Sequence, residues 1–186
     1  MLEAERPIRE LRLAPNEEPL LRTFGFLTQK PRVILLNIGE ELLGQSPPEL
    51  PTDEVVLAMC AEVEMEVGEL PEAERPDYLE AMDVSRPVAP EVIHSGYGAL
   101  GLLTFFTTAG PEVRAWSLPE GAHVIDAAGT IHSDMARGFI RAEVVAFEDM
   151  AAHGSLQQAR AHGKMLTEGK DFVVRDGDIL YIHFSV

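Results

Sequence analysis

The sequence lacks the features of several protein classes. It has one cysteine, Cys60, among 186 residues, which excludes an intrachain disulfide and a four-thiolate zinc site. It has no run of about 18 apolar residues, the length that a membrane-spanning helix needs. The charged N-terminus, MLEAERPIRELRL, has no apolar signal-peptide core. These absences predict a cytoplasmic globular protein without a membrane partner.

Positive charge is also scarce. The chain carries 15 Lys and Arg against 31 Asp and Glu, for a formal net charge of −16, which argues against coating nucleic acid or membrane by bulk attraction. The imbalance is concentrated in residues 49–91, with 13 acids against two arginines, whereas residues 101–186 have 11 acids against seven Lys and Arg. This shift predicts two modules, of which the second retains enough basic residues for a local basic face.

A phosphate-binding P-loop is missing as well. Its pattern is G-x-x-x-x-G-K-[ST], in which backbone N–H groups cradle the phosphates and the hydroxyl holds magnesium. The two Gly-Lys pairs, at 163–164 and 169–170, lack both the earlier glycine and the following Ser or Thr. The histidines show no metal-ligand spacing, and no Ser or Cys has an identifiable base partner.

The first part of the chain has an α/β pattern. Residues 33–38 form a short apolar run that predicts a strand buried on both faces. Residues 55–64, VVLAMCAEVE, form a second run, and two such runs with a connection between them predict a parallel sheet. Helices are predicted over about 71–82 and 88–100.

From residue 102 onward the pattern changes. The β runs are 102–109, 112–118, 138–147 and 171–186, with helical candidates at about 122–128 and 155–166. Asp176-Gly177 predicts a hairpin inside the last run. Strands mixed with short helices predict a small α+β domain of the β-grasp kind, beginning near Gly101. The fold class is therefore α/β plus α+β, a partial parallel sheet followed by a β-grasp domain.

Polar residues follow the first predicted strand. Asn37, Ile38, Gly39 and Glu40 lie at its carboxyl end, where open α/β sheets bind ligands. The second run ends in CAEVE, where a backbone N–H is placed to meet a nucleotide base from another side. Asn-x-x-Glu also occurs by chance in ordinary loops, so a loop without a ligand is the alternative.

These segments resemble a known family. The chain is similar to the C-terminal half of the Obg-like ATPases of the YchF group. The matching stretches occur in the family's order and are ERPIREL, LTQKPRVILLNIGE, CAEVEMEVGEL, SGYGALGLLTFFTTAGPEVRAWSL, AAGTIHSDMARGFIRAEVV and EGKDFVVRDGDILYIHFSV.

The resemblance implies three parts. Residues 1–30 correspond to the end of a helical insertion and the return to the nucleotide-binding domain. Residues 31–100 correspond to the last part of that α/β domain, and residues 101–186 to a TGS domain, a β-grasp fold shared with threonyl-tRNA synthetase. The family's P-loop and magnesium ligands lie upstream of the matching region.

The resemblance also implies a nucleoside triphosphatase that uses ATP and magnesium at full length. This chain alone is expected to bind no cofactor and to be inactive, since it lacks the P-loop. The residues implied for the base are Asn37, Ile38, Gly39 and Glu40, backed by Cys60 and Ala61. GTPases have an Asp at the position of Glu40, and the longer Glu relaxes the selection for guanine. Gly39 departs from the residues expected in this loop.

The partner implied for the TGS domain is the ribosome or a structured RNA. Candidate phosphate contacts are Arg114, Arg137, Arg141, Lys164 and Lys170. The alternative is that these are solvated charges that pair with the excess carboxylates. Self-association through the incomplete sheet is also expected. A second hypothesis for the chain is a stand-alone β-grasp module that binds ribosome or RNA and has no nucleotide function.

Overall fold

The computed structural model describes residues 3, 5–11, 13–14, 16–46, 49–50, 52, 54–109 and 112–185. The chain divides into two compact units, Met1–Leu100 and Gly101–Val186. No helix among the described residues is long and apolar enough to cross a membrane.

The N-terminal unit is built on two parallel strands, β1 (Ile34–Asn37) and β2 (Val56–Met59). Their register runs from Ile34 opposite Val56 to Asn37 opposite Met59, which confirms the predicted parallel pairing. The prediction that the first strand is buried on both faces is wrong, because β1 alternates half-buried and exposed residues. Within the described residues these two strands are the whole sheet of the unit, so their outer edges and faces are incompletely covered.

Short helices surround this pair. They are α1 (Glu18–Arg22), α2 (Ala61–Glu69), α3 (Arg75–Ala81) and α4 (Ala89–Ala99), with 3-10 turns at Ile8–Glu10, Leu27–Gln29 and Glu40–Leu42. The run 55–64, predicted as a strand, is a strand only to Met59. It continues as a helix because Val63 and Val67, four residues apart, pack with Cys60 into a buried cluster.

The C-terminal unit has a five-stranded mixed sheet. Its strands are β3 (Leu102–Ala109), β4 (Glu112–Pro119), β5 (Phe139–Ala146), β6 (Leu166–Glu168) and β7 (Asp178–Phe184). The spatial order is β4-β3-β7-β5-β6, with β3 and β7 parallel and the other neighbours antiparallel. This order brings the first and last strands of the unit together at its centre, as in a β-grasp fold, and the predicted fold class is confirmed.

Helices line both faces of the sheet. They are α5 (Val124–Ile131), α6 (Ser133–Arg137), α7 (Phe147–His153) and α8 (Leu156–Ala161). The main core lies on one face, where Phe105 and Leu180 of the central strands pack with Val124 and Ala127 of α5. A smaller cluster on the other face joins Val145 to residues of α7 and α8.

The predicted hairpin at Asp176-Gly177 does not form. Residues just before this turn make only an isolated bridge, Val173 to His123. The turn instead connects to β3, because an Asp176 carboxylate oxygen accepts a hydrogen bond from the Thr104 N–H (2.7 Å) and the Gly177 N–H donates to the Thr104 carbonyl (2.8 Å). Gly177, at φ +80°, supplies the left-handed backbone of this turn.

Asp178 generates a prediction on stability. It is 4% exposed, and burial raises the pKa of its carboxyl, although one of its oxygens accepts the Arg175 N–H at 2.9 Å. A pKa that is higher in the folded state stabilises the protein below the unfolded pKa, and this contribution is lost as the pH rises through the folded pKa. The charged carboxylate is therefore a cost at neutral pH.

We expect Asp178→Asn to raise the melting temperature at neutral pH, because the amide oxygen keeps an acceptor while the buried charge is removed. The gain should shrink as the pH is lowered, which thermal melts across a pH series measure. Asp178→Ala, which also loses the acceptor, is the control. A gain that does not change with pH would contradict this account.

Candidate functional site

The predicted base loop lies at the carboxyl ends of β1 and β2. The Ile38 N–H donates to the Met59 carbonyl at 2.9 Å, so the strand pairing continues one residue beyond β1. Asn37 is the last residue of β1 and Cys60 follows β2 directly. The structure thus places the two predicted halves of the site side by side.

The Asn37 side chain connects them. Its Oδ1 accepts a hydrogen bond from the Ala61 N–H at 3.0 Å. Ala61 is the first residue of α2, and the first N–H groups of a helix have no partner within the helix. Asn37 therefore caps α2 from the neighbouring strand. Its exposed Nδ2 group makes no hydrogen bond among the described residues and is free to donate to a ligand.

The rest of the loop, Gly39 and Glu40, is exposed to solvent. Gly39 has φ −74° and ψ 161°, an extended conformation that any residue adopts. A side chain at Gly39 would meet the carboxylate of Glu41, which is the flexible end of an exposed side chain and can move away. Glu40 begins the following 3-10 turn and is exposed. Glycine is therefore not required here by backbone geometry.

A pocket of about 370 Å³ lies behind the loop. Of the six predicted base residues it is lined by Ile38 and Cys60, while the other four lie outside its lining. Its lining includes Glu64, Asp83 and Glu91 together with Arg86, which pairs with Glu91 at 3.0 Å. Glu64 accepts the N–H groups of Val88 (2.6 Å) and Ala89 (3.2 Å), so it caps the start of α4. With three acids against one arginine that is already paired, the pocket disfavours phosphate.

Negative charge also surrounds Tyr78 on α3. The hydrogen bond from its hydroxyl to the Glu66 carboxylate, with smaller contributions from burial and from the charges of Glu66 and Glu40, raises the pKa of Tyr78 to about 12. No group of three or more His, Cys, Asp or Glu that could hold a metal ion occurs among the described residues.

The five basic candidates of the C-terminal unit are dispersed. Three of them form ion pairs with carboxylates of the same unit: Arg114 with Glu112 (2.9 Å), Arg137 with Asp134, and Lys164 with Asp149 (3.0 Å). Arg141 and Lys170 are exposed and have no such partner in the described part of the chain.

Strand alternation separates the candidates further. Arg114 on β4 lies on the sheet face that bears Trp116 and the main core. Arg141 on β5 neighbours the buried core residue Ala142 and so lies on the opposite face.

One group of side chains on that opposite face is absent from the sequence-based candidates. Tyr181 and His183 of β7 lie edge to face with ring centroids 4.9 Å apart, and Arg160 of α8 pairs with Glu143 of β5. The signal available in the sequence was the alternation of Tyr181 and His183 with the apolar residues of β7. It is also the ordinary signature of a strand with one buried face.

Comparisons with known proteins show which families and relatives this chain is similar to. The family model YchF-GTPase_C, described as "Protein of unknown function (DUF933)", matches residues 102–185. The "Ribosome-binding ATPase YchF" of Escherichia coli O157:H7 is 38% identical over 192 residues, covering 100% of this chain and 53% of the relative. The protein of the same name from Bacillus subtilis (strain 168) is 34% identical, covering 99% and 53%. "Obg-like ATPase 1" of Pongo abelii is 32% identical, covering 100% and 50%.

A solved structure agrees with the sequence matches. The Schizosaccharomyces pombe YchF GTPase superposes with a TM-score of 0.85 at 27% identity, over 97% of this chain and 50% of that one. The chain thus spans about half the length of the curated relatives it matches.

The fold defines the class first: an α/β segment with a parallel strand pair, joined to a β-grasp unit. Within that class, the chain corresponds to the C-terminal half of the Obg-like ATPases of the YchF group.

The Asn37 hydrogen bond can be tested directly. We expect Asn37→Ala to lower the free energy of unfolding of the N-terminal unit by about 1 kcal/mol, because the Ala61 N–H loses its acceptor. Asn37→Asp retains an acceptor and should cost less. Hydrogen exchange of the Ala61 amide measures the effect locally, and unchanged protection in Asn37→Ala would show that the bond does not hold the loop to α2.

Proposed function

We propose that this chain associates with the ribosome through its C-terminal unit. The observation that carries the proposal is the completeness of that unit: five paired strands enclose a buried core, whereas the described sheet of the N-terminal unit has two strands. The relatives from Escherichia coli and Bacillus subtilis are named ribosome-binding, which supports the choice of partner. A ribosomal partner implies a cytoplasmic protein.

The contact we propose is with RNA phosphates, through Arg114, Arg137, Arg141, Lys164 and Lys170 of a TGS domain at 101–186. Arginine and lysine contacts to phosphate position a protein on RNA and release counterions. Arg141 and Lys170 are the stronger candidates, because they have no carboxylate partner in the described part of the chain. The other three must exchange an internal ion pair for a phosphate. Exposed ion pairs of this kind contribute only about 0–1 kcal/mol to stability, so breaking one to contact a phosphate destabilises the protein little.

The second candidate function is recognition of a nucleotide base by the loop after β1, which the free Nδ2 of Asn37 favours. Asn37 would donate to a ring nitrogen of the base, and Glu40 would accept from an exocyclic amino group. In this picture Ile38 and Gly39 shape the loop, and Cys60 and Ala61 back it. The acidic pocket behind the loop disfavours phosphate.

For a protein that joins this segment to a phosphate-binding domain, we propose ATP hydrolysis with magnesium, in line with the names of the relatives. This chain has no P-loop, so neither positioning nor charge stabilisation of the γ-phosphate is available. We expect no hydrolysis by this chain alone.

Ribosome association should depend on charge. Between roughly 50 and roughly 200 mM salt we expect affinity to fall on the order of a hundredfold, as for a protein that contacts about five phosphates. Combined Arg137→Glu and Arg141→Glu should weaken it further at fixed salt, and residues 101–186 alone should retain it. Cosedimentation with purified bacterial ribosomes measures all three.

The matched control is the pair Arg6→Glu and Arg86→Glu in the N-terminal unit. Both arginines are exposed and form one ion pair each, so the net charge changes equally while the C-terminal unit is untouched. Binding that is insensitive to salt, or equally weakened by both pairs, would contradict the proposal.

A further inference from the structure

The sheet of the C-terminal unit has a face that is only partly covered. On β5 and β7 the residues Ala142, Val144 and Leu180 are buried in the main core, so the alternating side chains project to the other face. The antiparallel register sets Arg141 opposite His183 and Glu143 opposite Tyr181. These four side chains form a contiguous group on two neighbouring strands.

Helices α7 and α8 cover one part of this face. Their contacts with it centre on Val145, Ala159 and Ile179, with Leu156 and Met165 packed around them. Helices α7 and α8 do not cover Tyr181, which is 51% exposed. Two hollows of about 480 and 290 Å³ flank it, and both are lined by Tyr181 and His183.

Tyr181 and His183 form an aromatic pair in which one nitrogen atom of His183 is buried. Tyr181 and His183 meet at an interplanar angle of 69°, an edge-to-face arrangement that favours both rings. Nε2 of His183 is buried without a hydrogen-bond partner in the described residues, 3.6 Å from a Glu143 carboxylate oxygen.

Positive charge frames the rings. The two hollows are lined by two arginines, one histidine and a single acid, Glu143, in a chain of net charge −16. Glu143 is already engaged by Arg160, whose side chain remains 62% exposed. Arg141 is exposed on the opposite side of the ring pair. An anion that approaches Tyr181 therefore meets on one side the guanidinium of Arg141, which is unpaired in the described part of the chain. On the other side it meets the exposed guanidinium of Arg160, which must share or exchange its ion pair with Glu143.

We propose that this surface, the stacking face of Arg141, Arg160, Tyr181 and His183, binds an unpaired base of single-stranded RNA. Tyr181 stacks on the base, and the two arginines contact the flanking phosphates. Aromatic rings stack on any base, and single-strand sites combine such rings with a positively charged groove. The choice of RNA rests on the proposed ribosome association, and the stacking face specifies where and how that contact is made.

The test uses the full chain and a short oligouridine RNA with one central 2-aminopurine, whose fluorescence is quenched when it stacks. Wild type should quench the probe on binding, and Tyr181→Phe should behave alike because its ring is retained. Tyr181→Ala should bind about tenfold more weakly and lose the quenching. Tyr181→Leu keeps apolar bulk without a ring and should resemble Tyr181→Ala, which separates stacking from a packing defect.

A second pair of variants tests whether Arg141 contacts a phosphate. Arg141→Gln should weaken binding of the same probe and reduce its salt dependence by about 0.7 in the log–log slope, the loss of one single-strand phosphate contact. Arg6→Gln in the N-terminal unit removes the same charge and should leave both unchanged. Circular dichroism of each variant confirms that the fold is retained.

Ribosome cosedimentation of the same variants separates this inference from the proposed function. If wild type binds ribosomes but Tyr181→Ala and Tyr181→Leu quench and bind the probe like wild type, the stacking face is refuted while ribosome association stands. Ribosome binding that depends on Arg141, with no binding of the RNA probe, would assign the face to a ribosomal protein and also refute base stacking. If wild type binds neither, the proposed function fails with it.

Discussion

The parallel pairing of β3 with β7 is the contact on which the C-terminal unit depends. It joins the first and last strands of the unit, with Phe106 opposite Ile179, and it completes the core around Phe105 and Leu180, which are 0% and 1% exposed. Such a long-range pairing carries a large loop-closure entropy, which the contacts it makes must offset. The hydrogen bonds between Thr104 and the turn before β7 fix where this pairing starts.

The same pairing determines what each face of the sheet can do. With Leu180 directed into the core, its neighbour Tyr181 is directed to the opposite face, beside the arginine-bearing strand β5. The N-terminal unit shows the same logic on a smaller scale, since the parallel register of β1 and β2 brings Asn37 to Ala61. In that unit the result is a loop with one free amide group beside an acidic pocket. It offers fewer groups for a ligand than the stacking face, where an aromatic pair lies between two arginines.

Much of the fold was predictable because its signals are local. The β runs predicted at 102–109 and 112–118 form β3 and β4. The apolar run 55–64 has no period, so its change from strand to helix after Met59 was not visible. Asp176-Gly177 carries a strong hairpin signal, but its hydrogen-bond partner, Thr104, is distant in sequence.

The candidate sites also divide into features that local sequence reveals and features that depend on distant partners. The position of Asn37 at a strand end could be predicted from the sequence. Its bond to Ala61, and the grouping of Tyr181 with Arg141, depend on strand register, which local patterns do not specify. The ion pairs of Arg114, Arg137 and Lys164 depend likewise on side-chain placement, so a list of basic residues did not distinguish engaged from unpaired cations.

The central claim is that the C-terminal unit makes the ribosome contact and that the partly covered face of its sheet takes part in it. Hydrogen exchange of the chain with and without ribosomes, read by mass spectrometry of peptides, tests it most directly. The account predicts slowed exchange in peptides that cover 139–143 and 181–185, with residues 34–38 and 56–60 unchanged. Protection confined to the N-terminal unit, or to the α5 and α6 side of the sheet, would contradict it.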